Sequence, residues 1–282
     1  MVTQEQRKRQ LAREKFLRQQ QRRTSARRKA RMRNSVIASV LGVIVIGSVA
    51  LYTTGVLKND DDKSNASADV TPSASATSKA PDPCAKPAAG KIKTATWKKE
   101  PAVTIDKSAK YTMKLATTCG DIDIALKASA APHTVNSFNF LAGKGFFDHT
   151  KCHRLTTNGI YVLQCGDPTG AGSGGPGYTI PDENLKDASL KGGTYPAGTV
   201  AMANTYDAST GKGRNTGGSQ FFLVYQASQL PANYTPFGTV SASGLKVLKK
   251  IAAAGAEAAD PTTGNTAPNA TVVINKATVT KS

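Results

Sequence analysis

YTMKLATTCGDIDIAL, residues 111–126, alternates apolar and polar side chains in two runs, 111–115 and 121–126. A side-chain period of two marks a half-buried strand, and residues 117–120 supply the turn between the runs. Working outward, APHTVNSFNFLAGKG (131–145) places Pro132 near a helix start and Val135, Phe138 and Leu141 on one face. Gly143 and Gly145 act as its stops. FFLVY (221–225) and TVVINKATV (271–279) read as further strands, and SGLKVLKKIAAAG (243–255) as a second amphipathic helix closed by Gly255. Short strands, few helices, long glycine-rich loops and no internal repeat predict a mainly β fold. Its expected form is a closed antiparallel barrel with helical covers.

Before this unit the composition changes twice. Residues 1–34 hold 13 Lys and Arg against Glu5 and Glu14, the larger part of a formal net charge of +18. VIASVLGVIVIGSVALYTTGVL (36–57) has no charged side chain, and its 22 residues suffice to cross a hydrocarbon core of about 30 Å as a helix. Ser48-Val49-Ala50 offers a small-x-small cleavage site, but a basic head this long is unusual for a signal peptide, so an uncleaved anchor is expected. The positive head sets the orientation: N-terminus cytoplasmic, everything after the span outside. A basic run also suits nucleic acid. Here Phe16 is its only aromatic and it abuts the span, so topogenic charge and attraction to anionic lipid are expected, and nucleic acid is not an expected partner. Residues 58–96, rich in Ala, Ser, Thr, Pro and charge, read as a flexible extracellular linker. The expected organisation is a head (1–34), a transmembrane helix (35–57), the linker (58–96) and a folded domain (97–282).

Cys84, Cys119, Cys152 and Cys165 all follow the span. An even count outside a membrane permits two disulfides in any of three pairings. If Arg154 and Gln164 share one face of a strand pair, strict alternation puts Cys152 with them and Cys165 opposite, barring a bulge. The pairing is left open.

Several chemistries are disfavoured. His149, Cys152 and His153 are metal-ligand types, but in a strand Cys152 points away from the two histidines, so no metal is expected. GDPTGAGSGGPG and TGKGRNTGGSQ lack the phosphate-loop pattern and its strand–loop–helix context, so they read as surface loops needing positive φ. No G-x-S-x-G elbow accompanies the three histidines, and Ser219 has no obvious base nearby in sequence.

What remains is HR…QCGDPTGAGSGGPGYTIPDE, then VAMAN…NTGGSQFFLVY, then LPANYTPFGTV. In order and approximate spacing these motifs resemble the cyclophilins, from about Lys110 to Thr280. The resemblance implies an eight-stranded antiparallel barrel capped by two helices and peptidyl-prolyl cis–trans isomerisation. No cofactor is implied, the isomerase domain is expected to be monomeric, and its partners would be proline-containing unfolded or exported polypeptides. By the same resemblance Arg154 donates to the prolyl nitrogen, Gln164 holds the arginine, and Phe222 completes the catalytic set. Tyr161, Val162, Phe222 and Leu230 would form the proline socket. Asn204 would bind the backbone ahead of proline, Ala203 and Gln220 the neighbouring subsite, and Tyr234 the rim.

The sequence departs from the family pattern in places. Two extra residues separate Arg154 from Gln164, Tyr161 and Val162 stand where phenylalanine and methionine are usual, and TYDASTGKGR (205–214) enlarges one connection. Gln229 occupies a position often held by tryptophan, which implies weak ciclosporin sensitivity. The competing expectation is a non-catalytic module that binds or scaffolds proline segments at the membrane.

Overall fold

The structure, a computed structural model, describes residues 81–207, 209–260 and 265–282. The basic head, the expected span and the linker up to residue 80 lie outside the described residues. Among the described residues no helix is long and apolar enough to cross a membrane.

The opening stretch folds as predicted. Strands β1 (Tyr111–Thr117) and β2 (Gly120–Leu126) pair antiparallel around a turn at Thr118 and Cys119, with Met113, Leu115, Ile122 and Ile124 buried. Helix α1 (Pro132–Gly143) starts with proline in its first turn, where the missing N–H costs nothing. Ala131 offers no side-chain cap there. The Glu183 carboxylate replaces it, accepting from the His133 and Thr134 backbone N–H groups at 3.0 and 2.9 Å. Val135, Phe138 and Leu141 are fully buried, and the Phe138 ring lies 4.5 Å from Phe237, 5.3 Å from Phe147 and 5.4 Å from Phe221. These aromatic contacts centre the main core.

The remaining strands are β3 (Thr150–Lys151), β4 (Arg154–Leu155), β5 (Val162–Cys165), β6 (Thr194–Tyr195), β7 (Thr199–Met202), β8 (Phe221–Val224), β9 (Ser228–Gln229), β10 (Pro236–Val240) and β11 (Val273–Lys281). Helix α2 (Ala242–Ala253) is capped by Ser241, whose hydroxyl accepts from the Gly244 N–H at 3.1 Å. It buries Leu248 and Ile251 and packs on β2.

The closed eight-stranded barrel is corrected to a nine-stranded curled sheet in the order β3-β11-β1-β2-β10-β7-β8-β5-β4, with a separate β6–β9 pair. Among the described residues no ladder joins its edges. The edge strands β3 and β4 are successive pieces of one segment, residues 150–155, which pairs with β11 at its start and with β5 at its end.

Alternation explains the second apolar cluster. On β5, β7 and β8, residues Leu163, Cys165, Val200, Met202, Phe221 and Leu223 face the main core, while Val162, Ala201, Phe222 and Val224 face a smaller cluster on the opposite side. These strands are therefore buried on both faces.

The described end of the expected linker has no helix or strand but is fixed to the domain. Cys84 is bonded to Cys119, the Ala85 N–H donates to the Thr118 carbonyl at 2.8 Å, and Asp82 accepts from the Thr271 N–H at 2.9 Å. The second bridge is Cys152–Cys165. Strict alternation fails between β3 and β4, where Cys152 and His153 are both buried and neither belongs to a strand, so Cys152 reaches the core side with Cys165.

The bridges close loops of 35 and 13 residues. Chain entropy assigns about 4 and about 3 kcal/mol to loops of those lengths. Thiol reduction is therefore expected to lower the melting temperature, and Cys84→Ala/Cys119→Ala to open residues 81–100 to limited proteolysis. A melting curve indifferent to reductant would contradict both bridges.

Candidate active site

Arg154 and Gln164 are brought directly opposite each other, in register across β4 and β5. The two extra residues are absorbed in the turn 156–161, where the Thr156 N–H donates to the Val162 carbonyl at 3.0 Å and Asn158 bridges Ile160. Arg154 Nη1 donates to Gln164 Oε1 at 3.3 Å, and Gln164 Nε2 donates to Gln220 Oε1 at 2.9 Å. Gln220 Nε2 then donates to the carbonyls of Gly172 and Gly174 at 3.0 and 2.9 Å. Each amide accepts on one side and donates on the other, so the guanidinium is referenced to a backbone loop through two side chains.

That loop is itself fixed. The buried Asp167 carboxylate accepts from the Thr169 N–H at 2.7 Å, the Thr169 hydroxyl at 2.8 Å and the Gly172 N–H at 2.6 Å. Burial alone would raise its pKa, but the hydrogen bonds from Gly174, Thr169 and Gly172 outweigh burial and hold it below the usual carboxylate range. Gly166, at φ +90°, leaves no room for a side chain, since a Cβ there would run into the Ser219 carbonyl. The Ser219 hydroxyl donates to the Gly166 carbonyl at 2.7 Å, which accounts for this serine without a nucleophilic role.

Beside the arginine lies the smaller apolar cluster. Val162, Phe222, Leu230 and Tyr234 come together there, with Ala203 packed against them. Phe222 pairs with Gln164 across β5 and β8, and the Tyr234 ring meets it edge-on at 5.4 Å. Tyr161 packs against the main core, 5.9 Å from Tyr225. Ile160, which the sequence reading did not name, lies against the smaller cluster. Tyr195 was also missed: its hydroxyl donates to the Tyr234 carbonyl at 2.9 Å and accepts from the Tyr234 N–H at 3.2 Å, pinning the rim. Burial pushes its phenol up to about 12, so it stays a donor at any working pH.

The Asn204 amide is committed to the scaffold, donating to the Asn233 carbonyl at 2.8 Å and accepting from the Tyr206 N–H at 3.2 Å. That leaves its main chain for contact with a ligand. The enlarged connection folds back on itself through Asp207 and Lys212, and the Arg214 guanidinium stacks 3.8 Å from the Tyr206 ring. A cleft of about 1030 Å³ opens beside this region, with Gln164, Ala203, Asn204 and Gln220 in its wall.

An apolar socket next to a braced cation can hold a small ring and donate a hydrogen bond without proton transfer or a covalent step. Cys152 is bonded to Cys165 and offers no thiolate to a metal.

His153 adds a pH term. It is 5% exposed, and among the described residues neither ring nitrogen has a hydrogen-bond partner. Burial lowers its pKa, with Asp167 opposing and the Arg154 and Lys151 charges reinforcing. An unfolded imidazole titrates near 6.5. Below that value the unfolded chain takes up a proton that the folded one refuses, so this contribution to stability is lost as pH falls. In thermal melts between pH 7.5 and 5.5, wild type is expected to lose more stability than His153→Phe, which keeps His133 and His149. Equal losses would contradict this assignment.

Residues 112–279 match the family model described as cyclophilin type peptidyl-prolyl cis-trans isomerase/CLD. The chain is 48% identical over 185 residues to the Mycobacterium leprae protein named "Probable peptidyl-prolyl cis-trans isomerase B", covering 63% of this chain and 56% of that one. With the Bacillus subtilis peptidyl-prolyl cis-trans isomerase B it shares 40% identity over 131 residues, 46% of this chain and 82% of the relative. The chain spans about half the length of the mycobacterial relatives it matches. A solved Cryptosporidium parvum cyclophilin type isomerase aligns with a TM-score of 0.46 and 25% identity, over 61% of this chain and 98% of that one. With its motifs spread through the matched region, the chain belongs to the cyclophilin-type peptidyl-prolyl cis-trans isomerase family.

Proposed function

We propose that the chain catalyses cis–trans isomerisation of X-Pro bonds. The observation that carries this reading is Arg154, braced by Gln164 in direct register beside the apolar cluster around Phe222. Rotation about a peptide C–N bond faces a barrier of about 18–20 kcal/mol, set by resonance. A catalyst must bind the twisted state better than either planar one. In the twisted state the prolyl nitrogen regains its lone pair, and Arg154 donates to it. The ring sits against Ile160, Val162, Phe222 and Leu230, with Tyr234 at the rim, and the preceding backbone runs along Asn204 towards Ala203 and Gln220. No cofactor takes part, and one copy of the domain carries every residue named.

The sequence supports a place for this activity. We assign residues 36–57 as a single membrane span with the N-terminus cytoplasmic, so the domain acts outside on proline-containing exported or cell-surface chains and assists their folding. Two disulfides suit an oxidising compartment.

A coupled isomerisation assay on the full-length chain tests the reaction. Arg154→Ala is expected to lower kcat/KM by about 10²–10³, the usual cost of one preorganised donor, with peptide affinity nearly kept. An unchanged rate would remove the arginine from the mechanism and favour a module that only grips proline segments. Gln229 is exposed at the edge of the β6–β9 pair. Ciclosporin inhibition of the same preparation is accordingly expected to be weak, and nanomolar inhibition would contradict that.

A further inference from the structure

The cleft beside Gln164 and Gln220 is completed by residues outside the family match. Its lining includes Lys98, Lys99 and Glu100, while the match begins at residue 112. The strap that presents them is held on both sides. Before the lysines, the Trp97 N–H donates to the Pro176 carbonyl at 2.8 Å, and its indole sits 5.1 Å from Phe140 and 6.0 Å from Phe146. Gly177, at φ +85°, permits that close approach, since a Cβ there would stand 2.9 Å from the Trp97 carbonyl oxygen. After the lysines, Asn136 on α1 accepts from the Thr104 N–H at 3.0 Å and donates to the Ala102 carbonyl at 3.1 Å.

The charges in this wall do not cancel. Glu100 is the carboxylate of the lining, and it is engaged by His133 Nδ1 at 2.7 Å. Among the described residues neither lysine has a carboxylate within ion-pair distance. The rest of the lining is neutral: Gln, Ser, Thr, Asn, Tyr, Gly, Ala and Pro. Two lysines on a strap held at both ends therefore line a cleft that takes in Gln164, Ala203, Asn204 and Gln220, on the side where the chain ahead of proline would run.

We infer that Lys98 and Lys99 form a basic subsite that selects substrates carrying an acidic side chain a few residues ahead of the X-Pro bond. This rests on the isomerase reading and adds substrate preference to it. The preorganised strap lowers the ordering cost of the contact, but both lysines are exposed, so the effect is moderate and salt-dependent.

The test uses the full-length chain and a peptide series in which glutamate, alanine or lysine is placed in turn two, three and four residues ahead of proline. At the best position kcat/KM is expected to favour glutamate over alanine by about fivefold at low salt, the upper range for an exposed ion pair. Lysine there should fall below alanine. The glutamate preference should shrink towards one in molar salt, where screening acts over about 3 Å. It should disappear in Lys98→Ala/Lys99→Ala and reverse in Lys98→Glu/Lys99→Glu. A wild type that turns over the alanine peptide with no charge preference at any position would overturn the subsite alone, as would a preference that both variants retain. No turnover of the alanine peptide would instead overturn the isomerase reading.

Discussion

A slip of one residue between β5 and β8 would exchange the pocket for the core, and the molecule is organised around preventing it. Leu163 and Cys165 face inward while Val162 and Gln164 face the site, so a single register decides both packing and chemistry. Burial on both faces makes that register costly to change, because either slip would drive Gln164 into hydrocarbon without its partners. The Cys152–Cys165 bridge fastens the same region where β4 is only two residues long. Arg154 therefore owes its position to the core behind it as much as to the glutamine beside it.

The polar side of the site is built as a relay of fixed groups. Asp167 organises the glycine loop, loop carbonyls hold Gln220, Gln220 holds Gln164, and Gln164 holds Arg154. Each amide of the relay both donates and accepts, so the guanidinium is held without rearrangement of its neighbours. The glycines serve this purpose at particular points. Gly166 allows the loop to approach Ser219, and Gly177 allows the strap to approach the loop.

The strap before β1 gives the domain a feature beyond the family framework. It has neither helix nor strand, yet a disulfide, a buried-edge tryptophan and side-chain hydrogen bonds seat it against the domain. Composition made residues 81–96 resemble a tether, since Pro, Ala and Lys dominate there. Individual long-range contacts, rather than a buried apolar face of its own, hold the segment in place.

The sequence by itself determined the mainly β class and the family, and it named most of the residues that the structure brings together in the candidate site. Periods of two at 111–126 and 221–225 and the apolar stripe of 131–145 report local burial directly, and the spaced motifs around Arg154, Gln164, Asn204, Gln220 and Phe222 carry the family. Local patterns do not state which strands meet, and so three matters were left to tertiary structure. The sheet is curled and nine-stranded because one segment, 150–155, divides its hydrogen bonds between β11 and β5. Cys152 reaches Cys165 because alternation lapses at Cys152 and His153, which no periodic rule foresees, and Cys84 reaches Cys119 from a segment with no periodicity to read. Ile160 joins the smaller apolar cluster while Tyr161 packs on the main core, a division made in the turn 156–161. Each outcome depends on pairing between residues distant in the chain or on how a turn absorbs length, and neither is encoded in the hydrophobic pattern of a single element.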